Sequence, residues 1–242
     1  MLGLLCAPVS PGRAGSMPEG FVHLRSVDPT IEQDIRYAGP DNFTGRPVPG
    51  YGAAECVLVE GAAQALRRVQ AALAANGHGL KVFDCYRPAQ AVSAFLDWAK
   101  KPAVPKLKRA YHPRIPKSGL FPTYIARRSG HSRGAAVDLT LVHLSPAPAQ
   151  PSPTSSICGR PGELKSPRSE LDMGTGFDCF DRQSRTNAPE IGKSQLKNRT
   201  LLVRMMRQHG FRNYAGEWWH FSFHPEPYPE TYFDFAIPPA PR

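Results

Sequence analysis

No stretch of the chain approaches the ~20 consecutive apolar residues of a membrane-crossing helix, so no helical membrane span is expected. The five cysteines include no CxxC pair, which argues against a cysteine zinc knuckle. There is no HExxH stretch, and the helical zinc-peptidase signature is therefore missing. There is also no internal repeat. Acidic residues are scarce: 20 Asp+Glu stand against 30 Lys+Arg, a formal charge of +10. The basic residues do not gather into a block interleaved with aromatics. They read as a solvated basic surface with at most weak attraction for acidic polymers, and no nucleic-acid partner is expected. The opening "MLGLLCAPVSPGRAG" lacks a positive first region, and its apolar run is broken at Pro8 and Pro11, so it is a poor export signal. A cytoplasmic location is the default expectation, with periplasm or envelope as the alternative. Met17 is a candidate start of the ordered chain.

What is present is enough for a packed core. Among 242 residues, 41% are hydrophobic and 21% charged, which suits one large domain. The 26 prolines concentrate in connections and tails and predict long loops. Cys56–Cys85 and Cys158–Cys179 are conceivable bridges, but the missing export signal favours free thiols.

Along the chain, residues 1–20 read as a flexible lead and 21–242 as the domain. Asp34–Tyr51 reads as an ordered loop system rich in turn residues. Ala62, Leu66, Val69 and Leu73 form one apolar helical stripe that stops at Asn76-Gly77. Leu80–Pro88 reads as a strand, followed by a helix presenting Val92, Phe95, Leu96 and Ala99. The region from Lys100 to Pro122 reads as irregular. Gly134–Val142 is a second strand. The Pro/Ser-rich stretch at about 145–169 reads as an exposed insertion. A last helix carries Leu202, Met205, Met206 and His209 and stops at Gly210. A third strand alternates Trp219, Phe221 and Phe223. The expected fold is a single α+β domain, with a mainly antiparallel central sheet flanked by helices.

Two stretches carry chemistry. "SGHSRGAAVD" (Ser129–Asp138) contributes His131 and Asp138, and "EWWH" (Glu217–His220) contributes His220. Two imidazoles and a carboxylate are the three-ligand set of a catalytic zinc, which keeps an open position for water. Gly130 and Gly134 would let the backbone turn around His131, and Ala135 and Ala136 would leave room for metal and substrate. Glu217 could move protons beside the zinc. Residues three apart on a regular strand face opposite ways, so Glu217 and His220 can share a site only if the chain turns at Trp218–Trp219. Arg87 closes the "DCYR" strand, where a guanidinium could hold an oxyanion. Taken singly, each has an ordinary structural reading: a satisfied core histidine, a loop cap, a surface ion pair. The joint occurrence of four suitable residues raises the catalytic one. The remaining histidines take the structural reading.

The segments "YAGPDNFTGRPVPGY", "DCYRP", "SGHSRGAAVDLTL", "MGTGFD", "EWWHF" and "EPYPETYFDF", in this order, resemble the zinc D-alanyl-D-alanine dipeptidases, including the vancomycin-resistance type. The resemblance spans most of residues 37–235. It implies a zinc D,D-peptidase-like fold, one Zn²⁺ on His131, Asp138 and His220, Glu217 as catalytic base and Arg87 as transition-state stabiliser. It also implies a small pocket that binds the free dipeptide D-Ala-D-Ala through Tyr37, Ser129 and Asp178, with Trp218 shaping the wall. Two other readings stay open: a D,D-peptidase trimming longer peptidoglycan stems, and a non-catalytic wall-binding module.

Overall fold

The computed structural model describes residues 17–145, 158 and 170–241. The elements in chain order are β1 (Phe21–His23), α1 (Leu24–Val27), β2 (Glu32–Gln33), β3 (Val57–Val59), α2 (Glu60–Ala74) and β4 (His78–Asp84). They continue with α3 (Ala89–Ala99), α4 (Pro105–Tyr111), β5 (Ala136–His143), α5 (Lys193–Gln208), β6 (Phe211–Asn213) and β7 (His220–Phe223). Five strands form one sheet in the order β2-β4-β5-β7-β6, parallel only between β2 and β4, and β1 pairs with β3 in a small antiparallel ribbon. This is the expected single α+β domain with an antiparallel-rich sheet and flanking helices.

The apolar stripe on α2 is buried as the periodicity requires, with Ala62, Leu66, Val69 and Leu73 all in the core. The chain leaves α2 through Gly77 at φ +72°, a left-handed conformation that glycine adopts without steric cost. Gly210 at φ +91° plays the same part after α5. In α3 the buried face is Ala91, Val92, Phe95 and Trp98; Leu96 and Ala99, expected inside, are only partly covered. Trp98 joins the buried face, packing edge-on to Phe43 with ring centroids 4.8 Å apart. Seven of the eight β5 residues are buried, so the strand lies covered on both faces rather than half-exposed.

Two expectations need correction. The region from Lys100 to Pro122 is not irregular throughout: it holds α4, with Pro105 in its first turn where a missing N–H costs nothing, and a 3₁₀ turn at Lys117–Leu120. The four cysteines among the described residues are not free thiols: Cys56 is bonded to Cys85 and Cys158 to Cys179. The short strands β1, β2, β3 and β6 had too few residues to show a period. Of the expected flexible lead, residues 1–16 lie outside the described residues, while Gly20 accepts a backbone hydrogen bond from Glu60 at 2.8 Å. The expected insertion also lies outside them, apart from Ser145 and Cys158.

Candidate active site

The site is assembled by sheet register. Asp84 at the end of β4 is the cross-strand partner of Asp138 on β5, and Asp138 is the partner of His220 on β7. Directly opposed residues in an antiparallel pair project to the same face, so three polar side chains form one row across three strands. His131 reaches this row from a 3₁₀ turn (Gly130–Arg133), whose entry is capped by the Ser129 hydroxyl accepting from the His131 N–H at 3.2 Å. The turn leaves through Gly134 at φ +78°, where a Cβ would come within 2.2 Å of the Phe21 ring. Glycine is required there on both counts. Ala135 and Ala136 are buried in the fold and do not line the cleft, contrary to expectation.

The donor atoms converge. His131 Nε2 lies 3.1 Å from His220 Nδ1 and 3.3 Å from an Asp138 oxygen, and His220 Nδ1 lies 2.9 Å from the other Asp138 oxygen. One ligand atom from each residue falls within 4.8 Å of the others. His131 Nδ1 is 2.7 Å from the Cys85 carbonyl oxygen. A carbonyl only accepts, so Nδ1 carries the proton and Nε2 turns its lone pair inward, the tautomer a metal ligand needs. The expected turn before His220 is present: His220 N–H donates to the Glu217 carbonyl at 3.3 Å, and Glu217 N–H to that of Tyr214 at 3.0 Å. This coiling brings Glu217 and His220 to one cleft despite their spacing.

That cleft encloses about 300 Å³, the lower end for ligand pockets and a size for a small molecule. Arg87, Ser129, His131, Asp138, Asp178, Glu217 and His220 all line it, with Tyr37. Arg87 is fixed by Asp84, donating from Nε at 2.9 Å with Nη2 at 2.7 Å, and it also approaches the Ser129 hydroxyl at 3.4 Å. Tyr37 donates to Asp178 at 2.8 Å. Asp178 takes φ +59°, a left-handed conformation tolerated by aspartate and unusual for a side chain this buried. Trp218 departs from expectation. Its ring is buried beside the cleft without lining it, and its indole donates to Thr175 at 2.9 Å; Trp219 forms the wall instead.

Charge balance says what the site lacks by itself. Asp84, Asp138, Asp178 and Glu217 are buried around one guanidinium, Arg87. Burial, reinforced by the Asp138 charge and opposed by Tyr37 and Arg87, pushes the Asp178 carboxyl up to about 8. Burial also carries Glu217 well above the usual carboxylate range, with Asp138 and Asp178 adding to the rise. Burial raises Asp84 as well, against the pull of Arg87 and His131. At Asp138 burial acts upward too, but the imidazoles of His131 and His220 outweigh it and hold the carboxyl below its ordinary value. His220 is lowered by burial, though Asp138 works against this. An under-neutralised carboxylate cluster beside three inward donors fits a divalent cation.

Sequence reasoning passed over several members of the site. Asp84 stands three residues before Arg87 in "DCYR", a spacing that could have flagged an ion pair. Trp219 was adjacent to the residue chosen. Pro122–Ala126 and Tyr214, which form the rim, carried no local signal.

A sheet-borne His/Asp/His cluster, with a buried carboxylate and an arginine in a small cleft, belongs to the metallopeptidase class. The D-ala-D-ala dipeptidase family, Peptidase_M15, matches residues 17–147 and 164–238. D-alanyl-D-alanine dipeptidases of Enterococcus faecalis and Streptomyces coelicolor are each 40% identical over 222 residues, covering 91% of this chain and 100% of theirs. That of Escherichia coli K12 is 30% identical over 202 residues, 84% of this chain and 83% of its own. The chain belongs to the D-ala-D-ala dipeptidase family and is an enzyme of the dipeptidase class.

Proposed function

We propose that the chain hydrolyses D-alanyl-D-alanine to two D-alanines with one zinc ion held by His131, Asp138 and His220. The observation that carries this reading is the row Asp84–Asp138–His220, met by the inward Nε2 of His131. Two imidazoles and one carboxylate are a ligand set typical of hydrolytic zinc. When bound, zinc would supply Lewis acidity, polarising the scissile carbonyl and acidifying the attacking water.

The remaining work falls to side chains. Asp178 and Tyr37 receive the substrate ammonium; a carboxylate raised by burial among other anions gains most from an incoming cation. Ser129, already sharing its hydroxyl with Arg87, helps hold the substrate's carboxylate end. Glu217 takes a proton from water as the oxygen adds to the carbonyl carbon, and Arg87 stabilises the negative charge that develops on the carbonyl oxygen. Glu217 then passes that proton to the leaving nitrogen as the C–N bond breaks, which yields one free amine and one carboxylate. Burial raises the Glu217 carboxyl above the usual carboxylate range, which favours its holding the proton between the two transfers. A cleft of about 300 Å³ with a carboxylate on its floor favours a free dipeptide over a longer stem peptide.

Release of D-alanine from D-Ala-D-Ala by purified protein, before and after chelation and zinc add-back, tests the reading. Glu217→Ala is expected to lose about 10²–10⁴ in kcat while keeping zinc, and His131→Ala to lose the zinc itself by elemental analysis. A Glu217→Ala enzyme turning over at the wild-type rate would contradict the assigned role.

A further inference from the structure

The cleft has a buried floor and an exposed rim. Asp178 and Tyr37 on the floor are 4% and 1% exposed, whereas Tyr214 on the rim is 45% exposed. The opposite rim is Pro122, Thr123 and Ala126, also open to solvent. One hydrogen bond joins the two sides: the Tyr214 hydroxyl donates to the Thr123 carbonyl at 3.2 Å, across 91 residues of sequence. Tyr214 belongs to the loop that carries the reacting groups, its N–H donating to the His220 carbonyl at 3.0 Å. Its ring stands nearly perpendicular to that of His220, with centroids 6.1 Å apart. Gly216 makes this placement possible, because a Cβ there would come within 2.6 Å of the Tyr214 ring. The bare backbone at 216 lets the ring fold over its own loop.

We propose that Tyr214 is a specificity-determining residue. Held to Thr123, its ring straps the mouth of the cleft and limits the substrate, at its carboxyl-terminal side, to a single residue beyond the scissile bond. The inference rests on the dipeptidase reading and deepens it. With the ammonium against Asp178 on the floor, a bound dipeptide runs outward and its terminal carboxylate comes beneath the rim. A further residue would have to occupy the space of the Tyr214 ring. The strap is one solvent-exposed hydrogen bond, and bonds of this kind are weak enough in net free energy to open for entry and release. Nothing comparable is needed at the amine end, which the floor closes.

The experiment compares kcat/KM for D-Ala-D-Ala, the tripeptide D-Ala-D-Ala-D-Ala and N-acetyl-D-Ala-D-Ala in the zinc-loaded wild type and in Tyr214→Ala, Tyr214→Phe and Gly216→Ala. The readout is the ratio of tripeptide to dipeptide, so a general loss of activity cancels. Tyr214→Ala is expected to raise that ratio roughly tenfold or more, the scale on which a pocket discriminates by fit. Gly216→Ala keeps the tyrosine but displaces its ring, and Tyr214→Phe keeps the ring but frees it from Thr123; both are expected to raise the ratio by less. N-acetyl dipeptide should stay refused by all four proteins. An unchanged ratio in Tyr214→Ala overturns the inference, as does a gain confined to the N-acetyl substrate. A wild type that releases D-alanine normally in that case leaves the dipeptidase reading standing; a wild type inactive on the dipeptide overturns both.

Discussion

Replacing Asp84 by asparagine removes one charge from beneath the active site and almost no volume. Asp84 is fully buried and accepts from Arg87 Nε at 2.9 Å, from Arg87 Nη2 at 2.7 Å and from the Tyr51 hydroxyl at 2.6 Å. An amide can still face Arg87 with its oxygen, so the two Arg87 bonds become neutral-acceptor bonds, while its NH2 faces Tyr51, whose hydroxyl must turn from donor to acceptor. The two Arg87 bonds lose their charge assistance and the guanidinium loses its nearest counter-ion. Breaking a buried pair in this way costs about 3 kcal/mol, after partial relief of carboxylate desolvation. For a chain of this size that corresponds to a fall in Tm of about 6–12 °C. Arg87 would then be restrained by Asp138, at 3.6 Å, and by Ser129. A displaced oxyanion donor costs less than a deleted one, so kcat should fall by about 10–100-fold. Zinc content should stay near wild type, because the ligand atoms are untouched and the Cys85 carbonyl at 2.7 Å still orients His131, which loses only the longer contact of its Nδ1 with Asp84 at 3.5 Å. The assays are a thermal melt, D-alanine release and elemental analysis on one preparation. A variant with wild-type kcat and Tm would refute the reasoning, and so would a loss of activity that tracks loss of zinc alone.

Two further outcomes follow from the same geometry. Gly134→Ala puts a methyl 2.2 Å from the Phe21 ring in a left-handed backbone; it should destabilise the protein by about 3 kcal/mol or more, read as a lower denaturation midpoint. Burial pushes the Asp178 carboxyl up to about 8 in the folded protein, against an ordinary value of 3.8, so the folded protein holds an extra proton between those values. Its contribution to stability is therefore fully present below the lower value and lost as pH rises through the upper one. In metal-free protein Tm should decline from pH 5 to pH 9, and Asp178→Asn should flatten that decline; an equal slope in both proteins would remove Asp178 as the cause.

Much of this protein was written locally. The stripe on α2, the stops at Gly77 and Gly210, and the strand cores of β4 and β5 follow from periodicities that survive folding, because each reflects one face of one element. The residues of the candidate site were also legible by type: two histidines and an aspartate in short motifs, with a glutamate three before the second histidine. Even the turn at Trp218–Trp219 could be demanded in advance, since strand geometry forbids the alternative. What only the tertiary structure decided is which distant groups meet. The register that sets Asp84 opposite Asp138 and Asp138 opposite His220 joins residues 54 and 82 positions apart. The choice of Trp219 over Trp218 as cleft wall, the pairing of four cysteines, and the bond from Tyr214 to Thr123 are of the same kind. Side-chain chemistry and local period are properties of a stretch of sequence, whereas cross-strand register and loop contact are settled by the competition of the whole chain for one core.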